Sequence, residues 1–152
     1  MRRTIAMATL VAGTLDILFA IFLSLYFGRD PMGMLRYVAS GPFPPATEWG
    51  EVGSMLGLIV HFTLMAIMAG VYARLAVARP AILDQPIQWG LLYGLATYVV
   101  MNWVVVPLRF DAPLPPSPRA IATQLFAHIL LVGIPIALIV ARTSRGRLVK
   151  LA

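Results

Sequence analysis

The chain has 152 residues, of which 60% are hydrophobic and only 12% charged, with a mean hydropathy of +0.85; a soluble domain carries about twice that share of charge. These values exclude a soluble globular domain and leave an integral membrane protein, long enough for four crossings of about 20 residues each as one domain. The absence of cysteine excludes disulfides, iron–sulfur ligation, thiolate metal sites and a cysteine nucleophile. The net charge of +6 needs no nucleic-acid partner, because its basic residues are spread along the chain without a recognition motif.

The first apolar run covers residues 4–27, follows Arg2 and Arg3, and carries Asp16 at its centre. It is too long for the apolar core of a secretory signal and reads as a retained helix. Residues 30–41 come next. Asp30 there is an N-cap candidate, Pro31 suits the first helical turn and Gly41 closes the segment, which predicts a short helix lying in the membrane interface. Pro42-Phe43-Pro44-Pro45 and, later, residues 113–118 favour extended polyproline conformation.

Further spans are predicted over residues 52–75, 87–106 and 120–141, with Pro80, Pro86, Pro107 and Pro118 punctuating the gaps. The fold class is therefore all-α, a four-helix membrane bundle. If both termini are cytoplasmic, Arg2, Arg3, Arg74, Arg79, Arg142, Arg145, Arg147 and Lys150 lie on that side, against Arg29, Arg36, Arg109 and Arg119 outside. Eight against four favours an N-in, C-in topology, and the basic C-terminal tail suits anionic headgroups. Arginine outnumbers lysine eleven to one, which points to a GC-rich bacterial genome.

Each span carries a stripe of small or polar residues at helical spacing, marking its inward face. The stripes are Thr9, Ala12, Gly13, Asp16, Ala20 and Ser24; Gly53, Gly57, His61, Met65 and Met68; Gly90, Gly94, Thr97, Tyr98, Met101 and Asn102; and Gln124, His128, Val132 and Pro135. The pairs Gly53/Gly57 and Gly90/Gly94 predict close helix packing.

The chain's two histidines, His61 and His128, each fall about nine or ten residues inside a span, roughly 15 Å deep at about 1.5 Å per residue. Asp16, Thr97 and Tyr98 reach similar depth, so Asp16, His61, Thr97, Tyr98 and His128 are expected to form one buried polar layer, with Asp16 bonded to one of the histidines. Glu48, Glu51, Asn102 and Gln124 lie nearer the outer mouth and are candidates for a polar access route.

Such a layer fits several roles. It can be a hydrogen-bond knot that fixes helix register. It can exchange protons near neutral pH, or hold an ion at a carbonyl freed by Pro135. Two imidazoles at one depth can also ligate a metal or haem b, and Met65 and Met68 add soft donors for copper. No hydrolase, phosphate-loop or zinc motif is present, so a non-enzymatic protein is expected. The rival role is an accessory subunit packed against a larger membrane complex, and a homo-oligomer is a further possibility for a bundle this small.

The sequence Val60-His61-Phe62 with Ala66, Ala69 and Tyr72, then Arg79-Pro80, the run from Gly90 to Gly94, Val106-Pro107-Leu108 and Ala127-His128, resembles the YagU-type family of small bacterial inner-membrane proteins. The resemblance covers residues 57–141; Asp16 and residues 30–41 fall outside it. It implies a four-helix protein of the bacterial inner membrane without established biochemical activity, a connection with acid tolerance, and histidine at the positions of His61 and His128.

Overall fold

The computed structural model describes residues 1–148, with side chains described as far as Ser144. The side chains of the basic tail, at Arg145, Arg147 and Lys150, lie outside the described residues. Four helices are long and apolar enough to cross a membrane: α1 (Arg2–Tyr26), α3 (Gly50–Ala78), α4 (Pro86–Phe110) and α5 (Pro118–Ser144). A shorter helix, α2 (Pro31–Ser40), occupies the connection between α1 and α3. No strand occurs among the described residues, and the architecture is that of a multi-pass membrane protein.

The four long helices do not pack in chain order. α1 lies against both α3 and α5, α5 lies against α4, and the backbones of α3 and α4 stay apart. Tyr93 bridges this last gap by donating from its hydroxyl to Met68 O at 2.7 Å while its ring meets Tyr72 edge-on. The core sits where α1, α3 and α5 converge, built from Ala8, Ala12, Met65, Ala69, Val132 and Ile136.

The two glycine pairs do different jobs. At the α4–α5 crossing, a Cβ on Gly94 would fall on His128 O and on Ile129 Cα, and one on Gly133 would fall on the Gly90 carbonyl. Backbones meet there because no side chain keeps them apart. In α3 the pair serves the preceding connection instead of another span: a Cβ on Gly57 would fall on Leu35 O of α2, and one on Gly53 on Ala46 O of the turn at Pro44–Glu48.

Helix α2 is held at both ends. Asp30 caps it by accepting from the backbone N–H groups of Met32 and Gly33 at 2.9 and 2.8 Å, and Arg36 donates to Asp30 at 3.0 Å. Ser54 of α3 donates to Met32 O at 3.1 Å. At the other end Arg109 of α4 donates to Ser40 O at 2.8 Å and also to Gly41 O. Gly41 closes the helix in right-handed conformation, φ −53°, so it serves the carbonyl contact and not a left-handed turn. Pro44–Glu48 forms a 3-10 turn, where the prolines alone suggested extended chain.

Two stretches of π-helix interrupt the long helices, Val100–Val105 in α4 and Ala127–Gly133 in α5. Each ends two residues before a proline, Pro107 and Pro135. A proline ring clashes with the carbonyl four residues back and supplies no N–H, and widening the preceding turn to i+5 bonding accommodates both defects. Val106 N–H accordingly bonds Met101 O, and Ile134 N–H bonds Ile129 O. Beyond Val100, α4 leaves the bundle and opens an apolar cleft of about 690 Å³ against α3, lined by Val60, Leu64, Met101 and Val105 with Phe43 and Arg109 at its rim.

Candidate functional site

The inward stripes read from the sequence face inward: Thr9, Ala12, Gly13, His61, Met65, Gly94, Thr97, Tyr98, His128 and Val132 are all buried, and Asp16 is half-buried. Contacts among the five residues of the polar layer fall into two groups. Asp16 and His61 meet across the α1–α3 seam, while Thr97, Tyr98 and His128 lie along the α4–α5 seam.

At the α1–α3 seam, His61 Nε2 lies 2.9 Å from Gly13 O. A carbonyl only accepts, so Nε2 carries a proton and donates. Nδ1 then faces Asp16 Oδ2 at 3.9 Å, beyond hydrogen-bond length. Gly13 and Asp16, three residues apart, present the carbonyl and the carboxylate from one face of α1. A Cβ on Gly13 would meet the Phe62 ring at 2.7 Å, so that ring packs directly against the α1 backbone. The partner of Asp16 is thus His61, and the group that fixes the imidazole is a backbone carbonyl that side-chain patterning does not reveal.

At the α4–α5 seam, His128 sits inside the π-helical stretch with its ring 6.2 Å from that of Tyr98. Its Nδ1 is buried without a hydrogen-bond partner among the described residues, as are Thr9 Oγ1 and Tyr72 OH. Tyr98 OH accepts from Trp103 Nε1 at 3.2 Å, Thr97 donates to Gly94 O at 2.9 Å, and Asn102 donates to Tyr98 O at 3.3 Å. Asn102 therefore serves its own widened turn.

His61 already uses Nε2 on Gly13 O and turns Nδ1 to Asp16, and His128 is grouped with Tyr98 on the other seam. Among the described residues no cluster of three or more His, Cys, Asp or Glu residues gathers for a metal.

A cleft of about 250 Å³ opens between α1 and α5 at the end of the bundle that carries α2. Ala20, Leu23, Phe27 and, from α2, Met34 line its apolar part, and Ser24, Arg29, Arg119, Thr123 and Gln124 its polar part. Ala20 is four residues from Asp16, one helical turn or about 6 Å. Of the residues proposed for an access route, Gln124 lines this cleft, whereas Glu48 and Glu51 are exposed beside the start of α3. Arg29, Arg119, Ser24 and Thr123 were not among them. The signal available was Gly28 directly after α1, which allows the chain to turn back over the helix end.

Comparisons with protein-family models, with curated proteins and with solved structures gave no match to this chain.

Proposed function

We propose that this is a non-enzymatic multi-pass membrane protein that takes up and releases a proton at the Asp16–His61 pair, reached through the α1–α5 cleft. The carrying observation is the geometry of His61: Nε2 is committed to Gly13 O, so Nδ1 alone exchanges a proton, and it faces a carboxylate at 3.9 Å. A shift of about 1 Å closes that gap to hydrogen-bond length. The net-neutral pair, imidazole with carboxylic acid or imidazolium with carboxylate, is the form that a low-dielectric interior tolerates. A proton arriving from the cleft makes the pair cationic, and its loss restores neutrality.

On the far side of the pair the path is closed by the core of Ala8, Ala12, Met65, Ala69, Val132 and Ile136. Passage across the membrane therefore requires this packing to part, and Thr9, with its buried unbonded hydroxyl, is the next buried polar side chain along α1, Thr14 being exposed. The positive-inside bias of the sequence supports cytoplasmic termini, with α2 at the outer interface of a bacterial inner membrane.

The test is proton flux in proteoliposomes carrying an internal pH dye under an imposed pH gradient. Wild-type protein is expected to dissipate the gradient faster than empty vesicles, and Asp16→Asn to remove the difference while keeping the same melting temperature. Wild-type vesicles no leakier than empty ones, or an Asp16→Asn variant as active as wild type, would overturn the reading.

A second reading, an accessory subunit of a membrane complex, draws on the departure of α4 from the bundle beyond Val100 and on the apolar cleft it leaves against α3. Stoichiometric copurification of a partner, lost on placing a bulky residue at Val105, would favour it.

A further inference from the structure

The α1–α5 cleft, which the proposed function makes the route to Asp16, also has a chemistry of its own. Helix α1 ends in a Schellman motif: Gly28 adopts φ +65°, its N–H bonds Leu25 O at 3.0 Å, and Arg29 N–H bonds Ser24 O at 2.7 Å. This turn brings Arg29 back to the cleft wall. Across the cleft, Arg119 lies 4.7 Å from the centre of the Phe27 ring, which holds its guanidinium in place without neutralising it.

Neither arginine has a carboxylate within ion-pair distance among the described residues, where the ion pairs are Arg36–Asp30 and His61–Asp16. The nearby Asp30 carboxylate is already engaged by the start of α2 and by Arg36. The cleft also receives the N-terminal end of α5, whose partial positive charge favours anions. Ser117 caps that end by accepting from Ala120 N–H at 3.2 Å.

A separate observation points to a ligand. Ser24 is 7% exposed, lines the cleft, and its hydroxyl has no hydrogen-bond partner among the described residues. A nearly buried donor beside two unneutralised cations and a helix N-terminus is the equipment for an anion with several acceptor oxygens. The volume of about 250 Å³ is below that of pockets for drug-sized ligands, about 300 Å³ and above, and suits a small anionic group.

We propose that the α1–α5 cleft binds a phosphate group, held by Arg29, Arg119 and the Ser24 hydroxyl. At the ends of two membrane-spanning helices, that phosphate can belong to a lipid headgroup or to a free phosphate ion, and the chemistry of recognition is the same.

The experiment titrates protein purified in a non-ionic detergent with inorganic phosphate, with short-chain phosphatidylglycerol, and with the corresponding diacylglycerol that lacks phosphate, following heat by calorimetry. Saturable binding of phosphatidylglycerol alone assigns a lipid headgroup, and binding of inorganic phosphate as well assigns a free anion. Arg29→Gln is expected to weaken binding roughly tenfold, as loss of a hydrogen bond to a charged group does, and Arg29→Lys to recover part of it. Ser24→Ala should weaken binding several-fold, and Arg3→Gln, at the other end of the bundle, should leave it unchanged. Absence of saturable binding of either phosphate species, equal binding of the diacylglycerol, or indifference to both Arg29→Gln and Arg119→Gln would overturn the assignment. Asp16→Asn should bind as wild type does, so failure of the proton reading and failure of this one are separately visible.

Discussion

The α4–α5 seam offers a sharp test of what holds the bundle together, through Gly94→Ala with Gly70→Ala as its internal control. A Cβ on Gly94 would meet Ile129 Cα at 2.6 Å and His128 C at 3.0 Å, besides falling on the His128 carbonyl oxygen. Ordinary contact begins near 3.4 Å, so the helices must separate by most of an ångström. They are pinned elsewhere on the same seam by Gly133 against Gly90. Overpacking of this kind costs about 1–3 kcal/mol, partly offset by the gain of about 0.5–1 kcal/mol from replacing a helical glycine. The net expectation is a loss of about 1–2 kcal/mol, roughly a five- to thirtyfold change in the folded ratio. A Cβ on Gly70 meets nothing within 4 Å, so Gly70→Ala keeps the propensity gain without the clash and should be neutral or stabilising. Unfolding in mixed micelles with increasing denaturing detergent measures both variants on one scale. Equal stability of the two, or a less stable Gly70→Ala, would refute the claim that backbone contact at this crossing carries the packing.

Other consequences concern α2 and His128. Arg109→Gln removes charge-assisted bonds to Ser40 O and Gly41 O and should loosen the end of α2 by about 1–2 kcal/mol, read as faster hydrogen exchange at residues 38–43 with the α1–α5 seam unchanged. The Asp30 carboxyl is held below its ordinary value of 3.8, first by the Met32 N–H against an opposing desolvation, then by the Gly33 N–H and Arg36. A depressed value in the folded state means that the cap contributes fully above about 3.8 and is lost as pH falls through the lower folded value. The exchange protection of the Met32 and Gly33 amides should fall in that acid window in wild type and not in Asp30→Asn. His128→Leu replaces a buried ring whose Nδ1 is unbonded by an apolar side chain of similar size, and should be neutral or stabilising by about 1–2 kcal/mol. A loss of 2 kcal/mol or more in the same micelle assay would show that the imidazole has a stabilising partner.

How much of this was legible beforehand differs by element. The four spans follow from apolar length, since every backbone polar group in lipid must be satisfied within a helix; α1 ends at Tyr26, just short of the predicted end, while the last helix continues past its predicted end to Leu148. The Asp30–Pro31 start of α2 was readable because capping is a local interaction. Which helices touch was not readable. Gly53/Gly57 and Gly90/Gly94 look alike in sequence, yet one seats α2 and the other a membrane helix, because small residues specify close approach but not the partner. Depth along the chain placed five polar side chains at one level. It could not show that contacts divide them between two seams, since helix order around the bundle is set by packing. The clasp of His61 on Gly13 O was hidden for a simpler reason: a carbonyl leaves no mark in the sequence.

The condition of the polar layer bears on whether it exists only to hold helices in register. A group kept for register contributes by closing its hydrogen bonds, and an unclosed one in a low-dielectric interior costs free energy instead. Register is already fixed here by backbone contact, with Gly90, Gly94 and Gly133 locking α4 to α5, and Gly13 admitting Phe62 between α1 and α3. The polar atoms beside these contacts are left open: Asp16 and His61 stand 3.9 Å apart, and Thr9 Oγ1, Tyr72 OH and His128 Nδ1 have no partner among the described residues. Three such orphans and a stretched pair are a net cost to a bundle that glycine has already packed. Selection for stability alone would replace them by alanine, leucine or phenylalanine. Only Asp16 stands one turn below the α1–α5 cleft; Thr9 lies further along α1 and Tyr72 toward the far end of α3, so the unclosed polar atoms are strung along the bundle and do not gather into one structural knot.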